Sequence, residues 1–271
     1  MSAPRRVLLF TQWTEFDSGA ERAALALAQR LGAPLAVVVP LLSNPEFEAV
    51  APEVAAQNEA KAAQAAADFA RRAQIARVAI DVRVRRGDEL WREIVAEAQA
   101  QHADLLVTRR RGHRSFLGKL RVGEVVRRVA AHAPCPVLMV PRAATAPQRH
   151  ALAVIDAAEC TEPVARAAAA FAAALGLRLS FVVAGAVSAQ AAALLQRATA
   201  LAQAAGVAAD GSAASGPAAT VAPERIAALQ ADLQVVAIPA QQAAHGKLGD
   251  AVETLVAEVP CSTLLVRASA A

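Results

Sequence analysis

Ala133-Pro134-Cys135-Pro136-Val137-Leu138-Met139-Val140 returns, 126 positions later, as Val259-Pro260-Cys261-Ser262-Thr263-Leu264-Leu265-Val266. In each copy a proline and a small residue lead into an apolar run of strand length. An apolar run without alternation suits a strand covered on both faces, as in a parallel sheet. Upstream of each lies a helix start, Val122-Gly123-Glu124-Val125-Val126 and Leu248-Gly249-Asp250-Ala251-Val252. Farther back stand Asp104-Leu105-Leu106-Val107 and Asp232-Leu233. Near the amino terminus the correspondence holds at 144 positions, pairing Gln12 with Asp156, Gly32 with Gly176 and Leu35 with Leu179. An offset that steps down from 144 through 128 to 126 means one unit was duplicated and the second copy lost residues from its middle. The expected domains are residues 1–142 and 149–271, with a linker over Arg142–Gln148. A period this long is a duplication of whole domains and not a solenoid.

Within the first copy, Val7–Thr11 is expected to be a strand. Ser18 and Glu21 have the spacing of a capping box, Ala24, Leu27, Ala28 and Leu31 recur at helical spacing, and Gly32 supplies the stop. Leu35–Val39 is a buried strand, Glu53–Arg72 a long helix, and Ile80–Arg85, alternating apolar and charged, an edge strand. Helices over Glu89–Ala100 and Glu124–His132 and strands over Leu105–Thr108 and Val137–Val140 complete the pattern. This βαβαβαβαβ order predicts an α/β fold with a doubly wound parallel sheet. In the second copy, Gly206–Pro217 is rich in Ala, Gly and Ser, and no regular third strand is expected there.

Hydrophobic residues make up 56% of the 271, yet aromatics only 3%, so small residues must do the packing, as in helices lying close on a sheet. Basic residues concentrate between Arg83 and Arg128, which favours either an anionic partner or a solvated basic surface. Cys135, Cys160 and Cys261 are too few and wrongly spaced for a disulfide framework or a zinc site, and Cys135 and Cys261 read as packing residues. Cys160, beside the expected N-cap Thr161, is the more exposed candidate. Five histidines show no metal-ligand pairing, and no nucleophile elbow is present. Gly112–Lys119 fails as a Walker loop, since five residues separate its glycines and Leu120 follows the lysine. Trp13 and Trp91 are read as core or interface anchors. Apolar stretches such as Ala167–Leu177 are too short to span a bilayer, and no signal segment is visible. A cytoplasmic protein without membrane contact is expected.

The repeated segments, with Arg86-Gly87-Asp88 before the third helix, resemble the universal stress protein family, twice and over nearly the whole chain. The resemblance implies two tandem Rossmann-like (adenine nucleotide alpha hydrolase-like) domains, each a five-stranded parallel sheet flanked by helices, with the second copy eroded. Some members bind ATP through a Gly-x2-Gly-x9-Gly-Ser/Thr loop after the fourth strand, where glycines let phosphates approach backbone amides at a helix start. Carried over, it marks Thr11, Gln12, Val39, Arg109, Gly112, Gly123 and Glu124 in the first copy, and Asp156, Gly249 and Asp250 in the second, as candidate ligand-facing positions.

This chain departs from the pattern in both copies. Arg109 stands at the first glycine, ten residues separate Gly112 from Gly123, and Glu124 replaces the hydroxyl residue. In the second copy Ala237 and Ala240 hold the first two glycine places, and Asp250 follows Gly249. The family's acid after the first strand is Gln12 in one copy and survives as Asp156 in the other. A carboxylate at a helix start is favoured by roughly 0.3–1 kcal/mol, so Glu124 and Asp250 are expected to occupy the anion sites themselves. The expected protein is a non-catalytic regulatory or binding module that needs no cofactor. Two alternatives stay open: a slowly hydrolysing ATP switch in the first domain, and an anion or nucleic-acid binder through Arg109–Arg121. Nucleic acid is the weaker of these, because Phe116 is the one aromatic in that loop. Single-domain relatives pair through their last strands, which implies an intramolecular pseudo-dimer with Val137–Val140 against Leu264–Val266. Pairing of whole chains and unidentified protein partners stay open.

Overall fold

A computed structural model describes residues 4–42, 52–110, 112–114, 120–156 and 160–268. The first half builds β1 (Val7–Phe10), a 3-10 turn (Glu15–Asp17), α1 (Ser18–Leu31), β2 (Leu35–Leu42), α2 (Pro52–Ile75), β3 (Ile80–Gly87), α3 (Leu90–Ala100) and β4 (Leu105–Arg109). A small hairpin of β5 (Gly112–Arg114) and β6 (Leu120–Val122) then leads into α4 (Glu124–His132) and β7 (Val137–Val140). The second half runs β8 (His150–Ile155), α5 (Thr161–Leu175), β9 (Arg178–Gly185), α6 (Ala189–Ala204), β10 (Ala209–Ser215), α7 (Ala218–Leu229), β11 (Leu233–Ile238), α8 (Ala240–Ala244), α9 (Asp250–Glu258) and β12 (Ser262–Arg267).

Ten strands form one sheet in the order β10-β9-β8-β11-β12-β7-β4-β1-β2-β3. Within each half all pairings are parallel and the order is the same, giving two five-stranded sets. The halves meet where β12 runs antiparallel to β7, with Leu264 opposite Leu138. β1, β4, β7, β8 and β11 are buried at every position, as strands covered on both sides must be. One apolar layer packs α1, α2, α5 and α6 on one face, through residues such as Leu27, Phe69, Phe171 and Ala198. The other packs α3, α4, α7 and α9, through Ile94, Val129, Ile226 and Leu255. α5 buries Ala167, Ala168 and Ala169 completely, so short side chains bring this helix close to the sheet. Gly32 and Gly176 end α1 and α5 at the same φ of +60°, a left-handed cap that any Cβ would strain.

Local expectations are altered at three places. The capping box forms one turn before Ser18: the Asp17 carboxylate accepts from the Thr14 amide at 2.8 Å, while Ser18 Oγ donates to the Glu15 carbonyl. β10 is a regular strand despite its Ala, Gly and Ser content, because seven residues pair in register with β9, from Ala209 opposite Leu179 to Ser215 opposite Gly185. A waiting sheet edge outweighs weak strand propensity. Cys160, expected to be exposed, is buried as the N-cap residue of α5, and Thr161 is already the first helical residue.

Candidate functional site

In each half the strand order reverses beside the first strand, between β1 and β4 and between β8 and β11. The crevice beyond the carboxyl ends at such a reversal is where doubly wound sheets take their ligands. In the first half the turn after β1 and the last residue of β4 meet there. Thr11 is fully buried; its amide donates to the Val38 carbonyl at 3.2 Å and its hydroxyl to Glu21 Oε1 at 3.2 Å. The same hydroxyl accepts from the Trp13 amide at 3.0 Å. That tight turn forces Trp13 to a φ of +56°, and its ring packs on Phe69 with centroids 5.3 Å apart. Val39 is buried within β2.

The crevice holds a side chain of the protein itself. Arg109 Nη1 donates to Thr14 Oγ1 at 2.7 Å and to Asp17 Oδ2 at 3.2 Å, while Nη2 donates to Gln12 Oε1 at 2.8 Å. Arg109 is only 7% exposed and Asp17 is fully buried. Asp17 is further bound by the Thr14 amide and hydroxyl, at 2.8 and 2.7 Å, and by the Gln12 amide at 3.4 Å. The two charges therefore neutralise each other out of water, with every contact to the carboxylate falling on Oδ2, while Asp17 Oδ1 and Arg109 Nε are buried with no partner among the described residues. The 3-10 turn presents Thr14 and Asp17 on one side, while β4, in register with β7 through Arg109 and Val140, presents the guanidinium from the other.

Of the expected site residues, Gln12 and Arg109 are brought together and Thr11 lies beside them. Asp17 and Thr14 were not singled out in the sequence, although Thr14 followed three residues later by an acid is a capping-box signature. Gly112 sits in β5 opposite Val122, and Gly123 is the N-cap of α4, with open space where a Cβ would point. Glu124 does not turn back onto its own helix start: its carboxylate lies 63% exposed and pairs with Arg128 at 2.9 Å. Glu124, expected to occupy the anion site, pairs with Arg128, and the charged group buried beside β1 in the first half is Arg109. In the second half Asp156 and Asp250 are exposed, Gly249 caps α9 at a φ of +87°, and buried Ala237 stands at the arginine's place.

Among the described residues the basic stretch is largely consumed by pairing. Arg85 Nε lies 2.7 Å from the buried carboxylate of Glu97, Arg83 pairs with Asp81 at 2.9 Å, and Arg128 meets both Glu89 and Glu124 at 2.9 Å. Of the loop expected to seek anions, Arg109 is buried and Arg110 donates to the backbone carbonyls of Val256 and Val259 in the second half. Burial lowers the Arg110 pKa. Arg111 and residues 115–119 lie outside the described residues, and the side chains of Arg114 and Arg121 are not described.

The thiols of Cys135 and Cys261 are pushed up to about 12, by burial above all, which leaves both uncharged and poorly nucleophilic. Trp91 stacks on His132 with centroids 4.6 Å apart, an anchoring contact. Among the described residues no group of three His, Cys, Asp or Glu side chains could hold a metal, and no helix is long and apolar enough to cross a membrane.

The family profile described as the universal stress protein family matches residues 5–141. Among solved structures, a universal stress protein from Archaeoglobus fulgidus DSM 4304 is similar over 98% of this chain and 99% of its own, at 16% identity and a TM-score of 0.78. A putative universal stress protein from Pseudomonas aeruginosa UCBPP-PA14 is similar over 98% and 94%, at 19% identity and a TM-score of 0.62. A functionally unknown protein from Pseudomonas aeruginosa PAO1 is similar over 98% and 93%, at 18% identity and a TM-score of 0.61. At such identities these likenesses speak for the fold alone. No curated protein matches.

Proposed function

The chain belongs to the universal stress protein family, and from that premise we propose that it is a non-catalytic regulatory module whose first-half ligand crevice is closed by Arg109. The observation that carries this reading is the buried contact of Arg109 with Asp17, Thr14 and Gln12. A nucleotide entering there would have to eject the guanidinium and leave Asp17 buried without its partner. Breaking a buried ion pair costs about 3–5 kcal/mol, and about 3 kcal/mol already weakens binding roughly a hundredfold. Nucleotide affinity in the first half is therefore low, and hydrolysis has no bound substrate to act on.

The two domains, residues 1–142 and 149–271, stand in this reading as a pseudo-dimer within one chain. Its support is the antiparallel pairing of β7 with β12, which uses the last strand of each half and leaves neither edge open. Three cysteines without a disulfide are at home in a reducing cytoplasm.

Isothermal titration of the purified chain with ATP and magnesium tests the reading. No binding tighter than about 100 μM is expected for the natural chain, and Arg109→Gly combined with Asp17→Asn is expected to tighten it. Micromolar ATP binding with Arg109 in place would instead support the switch reading.

A further inference from the structure

We propose that the outer edge of β10 pairs with the same edge of a second copy of this chain, antiparallel about a two-fold axis through Ser212. β10 ends the ten-stranded sheet and, among the described residues, pairs with β9 alone. One side of its backbone therefore offers donors and acceptors that no strand takes up, a ready template for a further strand.

The duplication supplies the contrast that marks this edge as one to be covered. At the other end of the sheet, α2 through β3 (residues 52–87) carries 11 charged residues in 36, and β3 itself holds Asp81, Arg83, Arg85 and Arg86. Charged side chains along an edge keep a sheet unpaired in water. The matching stretch of the second half, α6 through β10 (residues 189–215), carries two in 27, Arg197 and Asp210. Each is engaged inside its own half: Arg197 turns to Glu162 of α5 at 3.0 Å, and Asp210 accepts from Ser180 of β9. The side of α6 turned away from Arg197 stands over β10, where a Cβ on Gly211 would come within 2.5 Å of Leu195 Cδ1. Ala192, Thr199 and Gln203 share that side by helical spacing and carry no charge. Surface depleted of charge beside an open strand has the composition of an interface core.

The strand suits pairing with itself. With all seven residues of β10 paired antiparallel, Ser212 stands opposite its own copy, Gly211 opposite Ala213, Asp210 opposite Ala214 and Ala209 opposite Ser215. No charge meets its like, and no side chain is larger than the aspartate, so the backbones can approach. The arrangement repeats, at the free edge, the antiparallel junction that already joins β7 to β12. A two-fold contact closes on itself, and the edges then left open are the charged β3 strands. Residues 269–271 do not reach β10. Ala268 is bonded to the Ile238 carbonyl in β11, three strands away; that is about 14 Å, against about 11 Å of extended chain.

The test is sedimentation equilibrium of the whole chain from about 1 to about 500 μM. A mass rising from 27.9 kDa to twice that value is expected, with a Kd tighter than about 100 μM. Ser212→Lys sets two ammonium groups against each other on the axis and is expected to keep the chain monomeric. Ser212→Cys is expected to give a disulfide-linked dimer in oxidised glutathione, because Cα atoms directly opposite lie about 4.5–5.5 Å apart, within disulfide reach. The natural chain, treated alike, is expected to give none. A natural chain still monomeric at the highest concentration would overturn the proposal. So would a dimer that persists in Ser212→Lys and does not cross-link through Ser212→Cys; the cross-link decides alone if the lysine variant fails to fold.

Discussion

Arg110 Nη1 lies 2.9 Å from the carbonyl oxygen of Val256, so a residue of the first half caps the last turn of a helix in the second. The same guanidinium also donates to the Val259 carbonyl. Its neighbour Arg109 points into the crevice instead, since successive residues leaving a strand project to opposite sides. Two adjacent arginines thus serve two structures, one paired with Asp17 beside β1 and one fastening a seam.

Removing the fastening leaves the final carbonyls of α9 without a charged donor. Arg110→Ala is expected to cost about 1–3 kcal/mol, read as a lower urea midpoint. Amide exchange should quicken most in β7 and β12, which meet at that seam.

Arg109→Ala strands the Asp17 carboxylate in a dry site and is expected to cost about 3–5 kcal/mol. Adding Asp17→Asn should recover part of that loss, because a neutral side chain tolerates burial. A single variant as stable as the natural chain in urea would show that the pair contributes little.

Gly19→Ala introduces a methyl group 2.1 Å from the Pro141 carbonyl and 2.8 Å from that of Arg142, both backbone atoms that yield only if the linker moves. A loss of about 1–3 kcal/mol is expected, with faster proteolysis between residues 141 and 149. Limited digestion followed by mass spectrometry reads both the rate and the cleavage position.

His150 sets a pH dependence. The ring is 4% exposed, Nε2 lies 2.8 Å from Ser180 Oγ, and that hydroxyl in turn donates to Asp210. The imidazole therefore carries its proton on Nε2, while Nδ1 is buried with no partner among the described residues. Burial first and Arg178 second hold its pKa below the ordinary value, against the opposing pull of Asp210 and Asp232. Above about pH 6.5 neither the folded nor the unfolded chain carries the charge. As the pH falls below that, the unfolded chain takes the proton first and stability declines. The melting temperature should drop between pH 7.5 and 5.5, and drop less in His150→Gln.

Much of the architecture was legible from local pattern. Apolar runs such as Val137–Val140 fit strands covered on both faces, Gly32 and Gly176 stop matching helices, and the stepped offset divides the chain into two units. Such features depend on neighbours a few residues apart. β10 escaped this reading because its backbone was recruited by β9, whatever its own propensity. Cys160 escaped it because burial is decided by what packs on top.

The candidate site was half legible. Departure from the family's loop was visible at Arg109 and Glu124, and from the sequence alone it raised the expectation that the ordinary phosphate cradle is lacking. The group that fills the crevice instead was decided by tertiary structure. Arg109 and Asp17 are 92 residues apart, and only the sheet order that sets β4 beside β1 brings them to 3.2 Å. Exposed Glu124 was free to choose a nearby partner and chose Arg128. Periodicity and glycine placement act along the chain, where sequence records them directly; charge pairing in a crevice acts through space, and only the folded chain supplies that distance.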